Sequence, residues 1–171
     1  MPGTDYPSAE EIYRQFHWEE FSRRHLDWDP RERLNIAHEV VDRHAQDPKK
    51  VALFCISREG KEEKYTYREL KNLTSQFANV LRDLGVKKGD VVARLLPRNP
   101  EVYITLFGTL KAGAIDLPLY TAFGPEAIEY RVQDSGAKLL VTDVENRDKW
   151  VGTNESLKKV KVLVTSRDRS S

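Results

Sequence analysis

From Val51 onward the sequence alternates short apolar runs with amphipathic stretches of helical length, and that alternation leaves few folds open. The strand-length runs are VALFCIS (51–57), VVARLL (91–96), IDLPL (115–119), KLLVT (138–142) and VKVLVT (160–165). VVARLL is apolar at nearly every position, as a strand covered on both faces must be. Between the first two runs, Leu70, Leu73, Phe77, Leu81 and Leu84 recur at one helical stripe, and Gly85 stands where a left-handed residue ends a helix. Asn99-Pro100-Glu101 reads as N-cap, first-turn proline and first-turn acid, opening a helix that ends at Gly113. Gly124-Pro125-Glu126 opens another, closed by Gly136. Strands alternating with helices call for a parallel sheet with crossover helices, so the spacing predicts an α/β fold. Pro118 inside IDLPL predicts a ladder position that needs no N–H donor.

Two local signals break the alternation. VALFCIS and EKYTY flank a turn containing Gly60 and are expected to pair as a hairpin, and Thr66-x-x-Glu69 forms a capping box at the next helix. The N-terminal part reads as helices instead. Ser8 and Glu11 make a capping box before Ile12, Tyr13 and Phe16, a short helix is expected over Trp18–His25, and a third starts near Asn35. That third helix should place Ile36, Ala37, Val40, Val41 and His44 on one side and stop before Asp47-Pro48. The division expected is a helical segment over 1–48 and a partial α/β domain over 49–171. VKVLVT ends six residues before Ser171 with no helix after it, so either it is an edge strand or the natural chain continues. We expect continuation.

Composition excludes several classes. The 28 Lys+Arg and 27 Asp+Glu leave a net charge of +1, which argues against a partner held by a basic field, so no nucleic acid is expected. The longest run without a charge, Asn72–Leu81, is ten residues, about half of a bilayer span, so no membrane helix is expected. The acidic opening MPGTDYPSAEE lacks the apolar stretch of a signal peptide. Cys55 is the single cysteine, which rules out an intrachain disulfide and fits a reducing, cytoplasmic setting.

Stand-alone catalytic signatures are missing. No Gly-x-x-x-x-Gly-Lys-Ser/Thr phosphate loop and no Gly-x-Gly-x-x-Gly after a strand occurs. His17, His25, His38 and His44 all precede the sheet, without metal-ligand spacing, so neither a Ser/His/Asp set nor a metal site is expected. Asp27, Trp28 and Asp29 read as a capped loop, and Cys55, among apolar neighbours, as core. What remains is geometric. Ligands of a parallel sheet sit beyond the carboxyl ends of its strands, where this chain places Pro97-Arg98-Asn99, Tyr120–Gly124 and Asp143–Trp150. The second segment sets small residues beside an aromatic ring, and the third carries Arg147 and Lys149, cations suited to a phosphate.

These residues also resemble a family. EEKYTYREL, then LGVKKGDVV, then LPRNPEVYITLFGTLKAGAIDLPLYTAFGPEAIEYRVQDSGAKLLVT are similar to the AMP-forming acyl-CoA synthetases of the adenylate-forming superfamily. AFGPEAIEYR, LNIAHEVVDRH and the Phe16-His17-Trp18 region resemble acetyl-CoA synthetases in particular. The resemblance implies the N-terminal part of the large domain of such a synthetase, with a mostly parallel sheet, flanking helices and a helical segment ahead of it.

It further implies that the parent activates a carboxylate with ATP and Mg²⁺ to an acyl-adenylate and passes the acyl group to coenzyme A. The family's glycine-rich loop, its Tyr-Gly-x-Thr-Glu motif, its ribose-binding aspartate and its catalytic lysine have no counterpart here, so no catalytic residue is assigned and the chain alone is expected to be inactive. Tyr120, Thr121 and Ala122 match the segment lining the pantetheine channel, where the family has an aromatic and two smaller residues, often Gly or Ala. Arg147, with Lys149 beside it, matches a basic pair that meets the nucleotide phosphates of coenzyme A, although the family's second arginine is replaced by Trp150. Trp150 is open to two readings, stacking on an adenine or packing. The rival readings are a truncated paralogue serving as a coenzyme A-binding or oligomerisation module, and part of an adenylation domain or medium-chain acyl-CoA ligase. A severed domain exposes apolar surface, so self-association is expected.

Overall fold

The computed structural model describes residues 7–29, 31, 33–150 and 157–166; the first six residues and the end of the polar tail lie outside them. The chain forms two compact units, Met1–Leu34 and Asn35–Ser171. This differs from the boundary expected at 48/49. Residues following Asn35 join the second unit because their polar groups are used there: Asn35 Nδ2 donates to the Leu110 carbonyl at 2.8 Å, and Lys111 meets Asp42 at 2.7 Å.

The first unit holds α1 (Ala9–Gln15) and α2 (Trp18–His25). The Ser8/Glu11 capping box closes at both ends, with Glu11 N–H donating to Ser8 Oγ and Ser8 N–H donating to Glu11 Oε2. Phe16, Trp18, Phe21 and His25 form a chain of ring contacts with centroids 4.1–6.2 Å apart. The Asp27–Asp29 segment is a capped loop, as expected, with Arg31 N–H donating to Asp29 Oδ1 at 3.0 Å.

The second unit begins with α3 (Ile36–Val40), shorter than the stripe suggested. Val41 leaves helical geometry at φ −118°, and a 3-10 turn over Asp42–His44 continues in its place. Ala37, Val41 and Ala45 nevertheless stay buried on one side. β1 (Val51–Ile56) and β2 (Glu62–Thr66) pair antiparallel as a separate two-stranded sheet, turning at Gly60 with φ 80°. Thr66 then caps α4 (Tyr67–Asp83), again through a closed capping box with Glu69.

Four strands make the parallel sheet, β3 (Val91–Leu95), β4 (Ile115–Pro118), β5 (Leu139–Asp143) and β6 (Lys161–Thr165), in the order β4-β3-β5-β6. Strand alternation splits the core in two. Ala93, Leu95 and Leu140 pack with Ile128 and Val132 of α6 (Pro125–Asp134), while Val92, Leu139 and Val141 pack with Leu81 of α4. α5 (Pro100–Lys111) lies against α4 so tightly that Gly108 is needed at the contact. Pro118 falls on β4, an outer strand of the described sheet, where a missing N–H is tolerated.

Candidate functional site

A groove of about 400 Å³ opens beyond the carboxyl ends of β3 and β4. Arg94 lies within it, and the wall is made by Leu96, Pro97, Arg98, Tyr120, Thr121 and Ala122. Three contacts fix that wall. Leu119 N–H donates to the Arg94 carbonyl at 2.8 Å, extending the ladder past Pro118, and Phe123 N–H donates to the Tyr120 carbonyl at 3.0 Å, closing a turn. The Lys149 ammonium donates to the Thr121 carbonyl, tying the turn to the segment after β5. Phe123 anchors the same turn from behind, with the Arg131 guanidinium 4.2 Å from its ring centre and the Tyr120 ring edge-on at 5.5 Å. Tyr120 itself is 74% exposed and free to meet a ligand.

Arg94, at the groove, forms a two-pronged ion pair with Asp116 behind it, Nε to Oδ1 at 3.1 Å and Nη2 to Oδ2 at 3.0 Å, with both side chains nearly buried. Sequence reasoning passed over this pair. Its signal is visible in retrospect: a charged residue inside each of two otherwise apolar strands, VVARLL and IDLPL, and a buried charge requires a partner.

Arg147 and Lys149 occupy one 3-10 turn after β5. The turn is set by Asn146, whose backbone N–H and Nδ2 both donate to Asp143 Oδ1 at 2.8 Å. The structure therefore brings Tyr120, Thr121, Ala122 and Lys149 together across 28 residues of sequence. Arg147 instead engages its neighbour Asp148 at 3.3 Å on an exposed surface. Trp150 is half-buried and packs against the core under α6, as its packing reading expects. The expected N-cap at Asn99 is met by the backbone alone, since its carboxamide makes no capping hydrogen bond. Among the described residues, no group of three or more His, Cys, Asp or Glu side chains is gathered as a metal site, and no helix is long and apolar enough to cross a membrane.

The family model for AMP-binding enzymes matches residues 40–170, well over half of the chain. This chain belongs to the AMP-binding enzyme family. It is 41% identical over 138 residues to the acetyl-coenzyme A synthetase of Bacillus subtilis, a match covering 80% of this chain and 24% of that protein. The 3-hydroxypropionyl-coenzyme A synthetase of Sulfurisphaera tokodaii is 38% identical over 112 residues, covering 64% of this chain and 17% of that protein. The crystal structure of a Brucella canis acyl-CoA synthetase superposes with a TM-score of 0.84 at 36% identity, over 95% of this chain and 29% of that one. The chain thus spans about a quarter of the length of the relatives it matches.

Proposed function

We propose that this chain is the N-terminal portion of an AMP-forming acid–thiol ligase of the acetyl-coenzyme A synthetase type. In the whole protein, a carboxylate oxygen attacks the α-phosphorus of Mg²⁺-bound ATP and displaces pyrophosphate. The coenzyme A thiol then attacks the acyl carbon of the resulting adenylate, AMP leaves, and a thioester remains. The mixed anhydride supplies the leaving group that a free carboxylate lacks. In this reading the segment up to Leu34 is the helical lead and Asn35 onward belongs to the opening part of the large domain, in a cytoplasmic setting.

Within that scheme the groove beyond β3 and β4 forms one wall of the coenzyme A channel. Tyr120, Thr121 and Ala122 line the path of the pantetheine arm, and Arg147 and Lys149 supply positive charge beside it. The observation carrying this reading is the bond from Lys149 to the Thr121 carbonyl, which joins the two segments that the family resemblance picked out independently. Cross-linked in this way, the turn offers a fixed surface to a narrow ligand, so little ordering cost falls on binding.

Nuclear magnetic resonance on the isotope-labelled chain tests the assignment. Coenzyme A is expected to shift the amides of residues 120–122 and 147–149 saturably. Shifts that saturate elsewhere and leave these amides untouched would overturn it. The chain alone is expected to give no ATP–pyrophosphate exchange with acetate or 3-hydroxypropionate, and clear turnover would refute the proposed division of labour with the rest of the protein.

A further inference from the structure

Of the cations at the carboxyl end of the sheet, most are already engaged. Arg94 is neutralised by Asp116, Arg131 lies over Phe123 and donates to the Ala127 carbonyl, Lys149 holds the Thr121 carbonyl, and Arg147 pairs with Asp148. Arg98 is different. It is exposed, has neither ion pair nor hydrogen bond to any described residue, and lines two cavities at once. One is the groove of about 400 Å³ with Tyr120–Ala122; the other, of about 270 Å³, lies against Cys55 and Ile56 of β1. No carboxylate lines either cavity, and Glu101, in the first turn of α5, is among neither set of wall residues. The amino end of α5 begins two residues after Arg98 without a side-chain cap. A guanidinium next to an uncapped helix start is a favourable surrounding for a phosphate monoester or diester.

We propose that Arg98 is the phosphate-recognising residue of the groove, gripping the phosphate end of a phosphopantetheine arm while Tyr120 covers its apolar length. This rests on reading the groove as the path of a phosphopantetheine arm, as in the proposed coenzyme A wall, and changes which cation does the gripping. Arg147 and Lys149 become secondary: Lys149 positions the turn, and Arg147 is first required to part from Asp148.

The test titrates the chain and its Arg98→Ala, Arg98→Lys and Arg147→Ala variants with coenzyme A, 4′-phosphopantetheine and unphosphorylated pantetheine, following the amides of residues 97–99 and 120–122. Arg98→Ala is expected to weaken both phosphorylated ligands about tenfold, as loss of a charge-assisted contact does, with partial recovery in Arg98→Lys. Arg147→Ala should weaken them less, and pantetheine should be indifferent to Arg98. Coenzyme A binding at 120–122 that is unchanged in Arg98→Ala overturns this inference and leaves the coenzyme reading intact. Arg98-dependent binding of 4′-phosphopantetheine, with coenzyme A bound nowhere in the groove, overturns the coenzyme reading and leaves this inference standing. If none of the three ligands shifts these amides, both fall.

Discussion

A methyl group placed on Gly108 would lie 2.6 Å from Phe77 Cδ1 and 2.9 Å from the Thr74 carbonyl oxygen. The ring can turn, but the backbone oxygen belongs to α4 and cannot move without the helix. Gly108→Ala gains about 1 kcal/mol of helix propensity, whereas overpacking costs about 1–3 kcal/mol. A net destabilisation of up to about 2 kcal/mol is expected in urea denaturation. Asp90 offers a second residue-scale test. The hydrogen bond from Lys138, then that from the Lys87 N–H, hold its carboxyl below the ordinary value of 3.8. A lowered carboxyl adds stability above that ordinary value and loses it as pH falls through the lowered one. Urea midpoints taken from about pH 6 down to about pH 3 should therefore drop, and Asp90→Asn should flatten the drop.

At the scale of elements, the link between β3 and β4 includes the Arg94–Asp116 pair. Asp116→Ala strands a nearly buried guanidinium, which costs about 3–5 kcal/mol, while replacing both partners by Met and Leu should restore much of the loss. Equilibrium denaturation of the single and double variants checks this. The pair also shows what the sequence could and could not disclose. Both capping boxes, the glycine helix ends and the strand runs were readable because each depends on residues within a few positions of one another. Arg94 and Asp116 are 22 residues apart, and their meeting depends on β4 lying beside β3, which spacing does not specify. The Lys149–Thr121 bond likewise required the strand order before its two segments could be joined. The break at Val41 was hidden for another reason: Ala37, Val41 and Ala45 keep a buried side through the 3-10 turn, while Ile36 and Val40, expected on that side, are exposed.

At the scale of the whole molecule, apolar surface remains uncovered in each unit. Ile12, Tyr13, Phe16 and Trp18 are 47–84% exposed in the first, and Val51, Phe54 and Ile56 of β1 are 49–62% exposed in the second. β6 pairs with β5 on one side and with no described strand on the other. Open edges and apolar faces of this kind favour pairing between copies. Sedimentation velocity should show mass increasing with concentration, and a clean monomer throughout a concentration series would contradict the expectation. The charge balance of 28 against 27 supplies little long-range repulsion to oppose such contacts.

The two-stranded β1–β2 sheet hands directly to α4, because Thr66 is both the last residue of β2 and the cap of the helix. One threonine therefore serves two elements, and loosening either end loosens the other. Amide protons of the hairpin and of the first turn of α4 should exchange with solvent together, as one cooperative opening, ahead of those in the four-stranded sheet.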